Sequence, residues 1–196
     1  MTWGQIRGWT DGHLEAIYAQ AIAEAQQGDI LVEVGVAYGR SLCLLARLAL
    51  DARKRVRIIG VDPWIDSDVP YGGEENRELH TKAGSYYEAA VLEMMTYCPE
   101  EYANVTLLRM GSVTAAQKFE RAVGMRPAFV FIDGDHSYES VLADVMAWAP
   151  LMKGGGLIAG HDCTPSYPGV ERAVREYFNG DFVHEGSCWK RRMGAL

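Results

Sequence analysis

Short apolar runs and helical apolar periods follow one another along the chain, and their alternation predicts strands separated by helices. Apolar runs bounded by glycine, proline or charged residues predict strands at 30–36, 56–62, 105–110, 128–133, 156–160, 182–184 and 188–191. Apolar residues at helical spacing predict helices at 14–25, 41–52, 83–97, 114–123, 138–148 and 169–178. Strands that alternate with helices favour a parallel sheet covered on both faces. Because only three residues join the last two strands, they predict an antiparallel hairpin at the sheet edge.

The segment 65–82 shows no clear apolar period, and it contains Pro70 and the pair Gly72-Gly73. A connection of this length inside a compact domain is often a lid or a binding loop, and a merely solvated excursion is the open alternative. The chain of 196 residues is long enough for one hydrophobic core. We therefore predict a single α/β domain over 1–196, with a doubly wound, Rossmann-like sheet of seven strands preceded by a helical segment at 1–28.

The composition is that of an ordinary globular protein, with 48% hydrophobic and 23% charged residues. A formal net charge of −7 argues against a nucleic-acid partner, which usually requires a basic surface. The chain has no apolar run of the ~20 residues that a membrane-spanning helix needs, and its N-terminus does not resemble a signal peptide. The four cysteines are scattered without a Cys-x-x-Cys pair, so we expect a reduced, cytoplasmic protein.

The most distinctive turn follows the first predicted strand, where the sequence reads Glu-x-Gly-x-x-x-Gly-x-Ser from Glu33 to Ser41. A strand, a glycine turn and a helix in this order wrap backbone around a nucleotide-like ligand. Gly35 and Gly39 lack the Cβ atoms that would keep the main chain from turning sharply beside that ligand. The spacing differs from the dinucleotide pattern Gly-x-Gly-x-x-Gly, because a valine and an alanine occupy its middle.

Polar residues recur where the predicted parallel strands end. In an open parallel sheet, ligands bind beyond these carboxyl ends, near the point at which the strand order reverses. The residues at these ends are Glu33, Gly35, Asp62, Gly111, Ser112, Asp133, His161 and Asp162. Asp62 follows the second strand, where an acid can accept hydrogen bonds from both ribose hydroxyls of a nucleoside; an Asp-Pro turn is the alternative. Gly111 and Ser112 are then expected beside the purine or pyrimidine base of this nucleoside.

Three further segments carry a family resemblance. They read Gly-Val-Asp-Pro-Trp at 60–64, Phe-Ile-Asp-Gly-Asp-His-Ser-Tyr-Glu at 131–139 and Gly-Gly-Gly-Leu-Ile-Ala-Gly-His-Asp at 154–162. Together with the glycine turn, they resemble the type 24 family of class I S-adenosylmethionine (SAM) dependent methyltransferases, from about residue 28 to the C-terminus. That family is related to metal-dependent small-molecule O-methyltransferases. The resemblance therefore implies methyl transfer from SAM to a hydroxyl group.

The resemblance also implies roles for individual residues. Those that would hold the cofactor are Glu33, Gly35, Tyr38, Gly39, Ser41, Asp62, Gly111, Ser112 and Asp133. Asp133 and Asp162 match the acids that hold a divalent ion, usually magnesium, in the metal-dependent relatives, and such an ion keeps positions for substrate oxygens. Catechol-type relatives place an amide after the second acid, whereas this chain has Cys163, and cysteine is a poor magnesium ligand.

His136 matches the general base of sugar O-methyltransferases, and a histidine with a near-neutral pKa suits removal of a hydroxyl proton. Helix capping, or a structural hydrogen bond to Asp162, is the alternative role for His136. For His161 three roles stay open: support of Asp162 without binding the ion, contact with the substrate, and a structural role alone.

Two functions of other classes stay open at this stage. An NAD(P)-dependent oxidoreductase shares the ribose-binding acid but normally has the dinucleotide glycine spacing. A SAM-binding module without transfer activity needs neither a base nor paired acids. The expected partner is a small hydroxylated molecule rather than a nucleic acid or a membrane. Trp3 and Trp9, if exposed, are compatible with a homo-oligomer contact.

Overall fold

The computed structural model describes residues 2–66, 73–122 and 126–194. Its strands are β1 Ile30–Val34, β2 Arg57–Asp62, β3 Val105–Arg109, β4 Phe129–Ile132, β5 Leu157–Gly160, β6 Val183–Glu185 and β7 Cys188–Arg192. Its α-helices are α1 Gly12–Glu24, α2 Arg40–Asp51, α3 Arg77–Ala83, α4 Tyr86–Tyr97, α5 Pro99–Tyr102, α6 Ser112–Arg121, α7 Tyr138–Trp148 and α8 Pro168–Tyr177. Short 3-10 helices lie at Trp3–Gln5, Glu74–Asn76 and Ala149–Leu151.

The strands of the described residues form one sheet in the order β3-β2-β1-β4-β5-β7-β6. Strands β1 to β5 run parallel, β7 pairs antiparallel with β5, and β6 pairs antiparallel with β7. This confirms the predicted doubly wound α/β sheet with a terminal hairpin. The strand order reverses between β1 and β4, and such a reversal opens a crevice at the carboxyl ends of the strands.

The central strands are buried because helices cover the sheet from both sides. Every residue of β1, β4 and β5 is buried, which explains why β4 and β5 read as continuous apolar runs and why β1 is apolar except for Glu33. In one core cluster, Tyr18 of α1 packs edge-on against Phe129 and Phe131 of β4. In the other, Trp148 of α7 lies in the same cluster as Val130. Among the described residues, no helix is both long and apolar enough to cross a bilayer.

The structure differs most from the sequence prediction between β2 and β3. Helix α3 begins within the segment 65–82, which the sequence predicts as a loop, and ends one residue beyond it; residues 67–72 of that segment lie outside the described part. Glycine explains the break after α3, because Gly84 has a φ of +103°, which ends the helix. Ser85 then caps α4 by accepting a hydrogen bond from the Glu88 backbone, so the helix predicted at 83–97 begins at Tyr86.

Two smaller differences concern helix ends. The short helix α5, which starts at Pro99, was not predicted because it has no room for an apolar period. Helix α6 begins two residues before its predicted start at 114 and ends at Arg121, and the predicted end at Val123 lies outside the described residues.

Gly160, at the end of β5, allows Trp189 of β7 to pack against the sheet. A Cβ atom at this position would lie 2.5 Å from the Ile132 carbonyl oxygen and 2.5 Å from Trp189 Nε1. We expect Gly160→Ala to lower the free energy of unfolding by about 1–3 kcal/mol in urea denaturation, because the core must shift to accept the methyl group. Gly12→Ala is the control, since a Cβ there meets nothing within 4 Å. Equal losses in both variants would contradict this explanation.

Candidate functional site

Two adjoining cavities lie at the carboxyl ends of the parallel strands. The first, called here the histidine cavity, has a volume of about 490 Å³, and its walls include His136, His161 and Asp162. The second, the Asp62 cavity, has a volume of about 410 Å³, and its walls include Asp62, Gly111 and Ser112. Both volumes fall in the range typical of small-molecule sites. Gly35, Ala37 and Asp133 line both cavities, so these three residues mark the passage between them.

Most of the residues predicted for the site lie at one of these cavities. Those at the histidine cavity are Gly35, Tyr38, Ser41, Asp133, His136, His161 and Asp162. Those at the Asp62 cavity are Gly35, Asp62, Gly111, Ser112 and Asp133. Of the predicted residues, Glu33 and Gly39 line neither cavity.

The two glycines of the turn are required for different local reasons. Gly35 has a φ of +85°, and a Cβ there would overlap the Asp133 carbonyl oxygen, so only glycine lets the ends of β1 and β4 come this close. Gly39 has a φ of +90°, and a Cβ there would overlap the Met94 side chain of α4. Gly35 therefore shapes the passage between the cavities, whereas Gly39 permits helix packing.

Glu33 is a buried acid that ties the turn to the surrounding helices. Its carboxylate accepts a hydrogen bond of 2.7 Å from the Tyr18 hydroxyl of α1 and one of 2.7 Å from the Ser41 hydroxyl of α2. Burial raises its pKa from 4.5 to about 8, although these two hydrogen bonds oppose the shift. In this arrangement Glu33 positions the start of α2, and its direct contact with a cofactor stays a prediction.

Asp62 holds the backbone of the turn. One carboxylate oxygen accepts hydrogen bonds from the amides of Val36 and Ala37, at 2.9 and 3.0 Å, and the other accepts one from Trp64 at 2.7 Å. Burial raises the pKa of Asp62 despite these three donors. A carboxylate has about four acceptor positions, so about one remains for a ligand rather than the two expected for a pair of ribose hydroxyls.

Tyr38 and Ser112 are also held by neighbouring side chains. The Tyr38 hydroxyl lies 2.7 Å from Nε2 of His80 on α3, in the segment between β2 and β3. Ser112 accepts a hydrogen bond of 2.9 Å from the Trp148 indole and lies beside Asp144, a buried acid of the same cavity. Burial raises the pKa of Asp144 to about 6.

Two acids and two histidines form a cluster at the ends of β4 and β5. His136 Nε2 lies 3.0 Å from an Asp162 oxygen and 4.0 Å from Asp133, while His161 Nδ1 lies 3.3 Å from Asp162 and 3.7 Å from Asp133. Burial raises the pKa of Asp133 to about 6. Burial acts the same way on Asp162, but hydrogen bonds from the two imidazoles hold its pKa well below the usual range. The hydrogen bond to Asp162 raises the pKa of His136.

His161 extends the cluster toward the N-terminal helix. Its Nε2 lies 3.1 Å from Asp11, which also accepts a hydrogen bond from the Ser187 hydroxyl. Burial disfavours the charged imidazole, but the hydrogen bonds to Asp162 and Asp11 and the nearby charge of Asp133 raise the His161 pKa to about 9. Asp11 also caps α1 by accepting hydrogen bonds from the amides of His13 and Leu14, and no sequence pattern indicates its contact with His161.

The cluster fits a divalent cation. Asp133, His136 and Asp162 each offer one ligand atom, and these atoms lie within 4.8 Å of one another. Carboxylate oxygens suit magnesium, and an added imidazole nitrogen suits manganese, iron or zinc. Cys163 is fully buried in the hydrophobic core and does not belong to this donor set.

Among the residues of the histidine cavity that were not predicted from the sequence, four have polar or aromatic side chains. They are Arg7, Trp9, Arg40 and Tyr167. The Tyr167 ring lies 4.5 Å from the His136 ring, and Trp9 is 65% exposed. Of these four residues, only Arg40 could have been identified from the sequence, because it directly follows the glycine turn. The others come from segments without a motif, so only the tertiary structure brings them to the site.

The raised pKa of Glu33 makes stability depend on pH. Between pH 4.5 and about 8 the folded chain retains a proton on Glu33 that the unfolded chain has lost. The free energy of unfolding should therefore fall as pH rises through this window, with a slope of up to about 1.4 kcal/mol per pH unit. We expect Glu33→Gln to show a shallower decline in chemical denaturation at several pH values. Glu120→Gln, at an exposed acid, is the control, and identical slopes for wild type and Glu33→Gln would contradict the shift.

Comparison with known proteins agrees with this architecture. A family described as "Methyltransferase domain" matches residues 32–163. Among solved structures, CalS11, a TDP-rhamnose 3'-O-methyltransferase of calicheamicin biosynthesis, has a TM-score of 0.68 and 17% identity over 92% of this chain and 77% of its own. The O-methyltransferase NovP has a TM-score of 0.59 and 20% identity over 92% of this chain and 79% of its own. TomG from Streptomyces achromogenes is an O-methyltransferase involved in tomaymycin synthesis, and its structure was solved with SAM. It has a TM-score of 0.64 and 14% identity over 95% of this chain and 82% of its own. No curated protein matches the chain significantly.

Proposed function

The chain belongs to the type 24 family of SAM-dependent methyltransferases, and we propose that it transfers the methyl group of SAM to a hydroxyl group of a small molecule. One observation carries this proposal: the glycine turn with Asp62 and the acid–histidine cluster open onto adjoining cavities that share Gly35 and Asp133. A cofactor bound across this passage has its nucleoside on one side and its reacting centre beside the cluster. The names of CalS11, NovP and TomG as O-methyltransferases support a hydroxyl acceptor.

In this proposal the Asp62 cavity holds the adenosine part of SAM. The remaining acceptor position of Asp62 binds a ribose hydroxyl, and its three backbone donors keep the carboxylate in place. Gly111 and Ser112 lie along the base, with Asp144 close to Ser112. Glu33 acts through Ser41 and Tyr18 by fixing the turn against α1 and α2.

His136 is the proposed general base. SAM would supply an electrophilic methyl group, and Asp133 and Asp162 would hold a divalent ion whose positive charge would lower the pKa of the acceptor hydroxyl. When the acceptor oxygen takes the methyl group and S-adenosylhomocysteine leaves, the hydroxyl proton would pass to Nδ1 of His136, because Nε2 holds the hydrogen bond to Asp162. Asp162 orients this imidazole at 3.0 Å and stabilises its charged form. The Tyr167 ring packs against this imidazole.

His136→Gln tests the base. We expect the variant to lose about 100-fold or more in methyl transfer to a panel of hydroxylated acceptors, because the proton has no comparable acceptor. Its affinity for S-adenosylhomocysteine, measured by calorimetry, should stay within about twofold, since His136 lines the histidine cavity and not the Asp62 cavity. His184→Gln is the control, because His184 bonds backbone carbonyls and lines neither cavity. Full turnover in His136→Gln, or a wild-type chain that does not bind S-adenosylhomocysteine, would contradict the proposal.

The variant Asp162→Asn tests whether a divalent cation binds at this site. We expect a chelator to abolish turnover and added magnesium to restore it in the wild type. Calorimetric titration with magnesium or manganese, without acceptor, should show binding to the wild type and at least about tenfold weaker binding to the variant, because one charged ligand is lost. Asp51→Asn, at an exposed acid on α2, is the matched control. Equal cation affinity in wild type and Asp162→Asn would exclude this site.

A further inference from the structure

A second group of metal-ligating side chains lies where the turn between β6 and β7 meets α1 and the end of β5. Asp11 caps α1, His161 directly follows β5, and Cys188 is the first residue of β7. One carboxylate oxygen, one imidazole nitrogen and the thiol sulfur of these residues lie within 4.8 Å of one another. None of the three residues belongs to the donor set proposed for the cation at Asp133 and Asp162.

The His161 imidazole is oriented for a metal at Nε2. Its Nδ1 lies 3.3 Å from Asp162 and 3.7 Å from Asp133, whereas its Nε2 lies 3.1 Å from Oδ2 of Asp11. A metal-binding histidine commonly donates its other ring N–H to a carboxylate, which fixes the tautomer and makes the ligating nitrogen more basic. Asp162 occupies the position of that carboxylate, so Nε2 is the nitrogen that faces an ion.

Asp11 presents one oxygen to the same place because α1 engages the other. Its Oδ1 accepts hydrogen bonds of 2.9 Å from the His13 and Leu14 amides, and its Oδ2 faces His161 and the Ser187 hydroxyl. The cap therefore holds the carboxylate in place without using the oxygen that an ion needs. Asp11 is also the most exposed of the three ligands, with 36% of its side chain exposed, so it gives an ion a path from solvent.

Cys188 supplies a sulfur that is shielded from solvent. The residue is fully buried, and its sulfur lies 3.7 Å from the Ser187 hydroxyl. The turn before it comes close to α1 because Gly186 has a φ of +63°, and a Cβ there would overlap the His13 ring. This close approach of the turn to α1 brings the sulfur next to the Asp11 carboxylate.

We propose that Asp11, His161 and Cys188 bind a zinc ion. Zinc accepts carboxylate oxygen, imidazole nitrogen and thiolate sulfur together, whereas magnesium requires oxygen. Zinc–ligand bonds of about 2.0–2.3 Å place tetrahedral ligand atoms about 3.3–3.7 Å apart, close to the 3.1 Å between His161 Nε2 and Asp11 Oδ2. The protons on the thiol and on Nε2 pass to solvent as the ion binds. Three protein ligands leave the fourth position to a water molecule.

An ion at this place would join three segments that are far apart in the chain, namely α1, the end of β5 and the start of β7. It would also hold the His161 ring against Asp162. The inference does not depend on the proposed function, because none of the three ligands has a step in the proposed methyl transfer.

Cobalt(II), which replaces zinc in such sites, tests the proposal in the full chain. A cobalt–thiolate bond gives a charge-transfer absorption band, and the donor set proposed for magnesium cannot give it because it contains no sulfur. We expect the reduced, metal-free wild type to show this band on titration with cobalt, and added zinc to abolish it. Cys188→Ser should lose the band. Cys98→Ser, at another buried cysteine, is the matched control and should keep both the band and the cobalt affinity.

Asp11→Asn should weaken cobalt binding at least about tenfold, because it removes a charged ligand while asparagine still caps α1. Absence of the band in the wild type would overturn the inference, and so would a band that persists in Cys188→Ser. Equal cobalt affinity in wild type and Asp11→Asn would also overturn it. If Cys188→Ser does not fold, the wild-type band and the Asp11→Asn affinity still decide. Failure of the wild type to bind S-adenosylhomocysteine would refute the proposed function and leave this inference intact.

Discussion

The close approach of the Gly35 backbone to the Asp133 carbonyl is the constraint on which the site depends. Strands β1 and β4 are neighbours at the point where the strand order reverses, so their ends border the crevice. A side chain at position 35 would force these two ends apart. Because Gly35 and Asp133 line both cavities, the same contact that closes the sheet also sets the width of the passage between them.

Charge pairing holds the groups around this passage. Asp162 lies within hydrogen-bond reach of two imidazoles, and His161 in turn reaches Asp11 at the start of α1. Removing one member would leave another charge buried and unpaired, which is more costly than losing a surface pair. The arrangement orients the groups before a ligand arrives, and such preorganisation is what a proton transfer in a partly buried site requires. Helix α1 thereby becomes part of the site although it contains none of the family motifs.

The sheet and the strand-end residues could be predicted from sequence because both follow from local patterns. Apolar runs identify parallel strands, and parallel strands bring Asp62, Asp133 and Asp162 to one edge whatever the details of packing. The other contacts of the site depend on the tertiary structure. Glu33 meets Tyr18 from α1, and Arg40 meets Gly8 from the N-terminal segment; neither pairing has a periodic signal. The break at Gly84 was missed because one glycine within an otherwise helical pattern does not predict where a helix ends.

The most direct test of the central claim is a crystal structure of the chain with S-adenosylhomocysteine. The account predicts the ribose within hydrogen-bond distance of the Asp62 carboxylate, and the sulfur at the passage between Gly35 and Asp133, on the side of His136. Adenosine in the histidine cavity, or sulfur remote from the acid–histidine cluster, would contradict it.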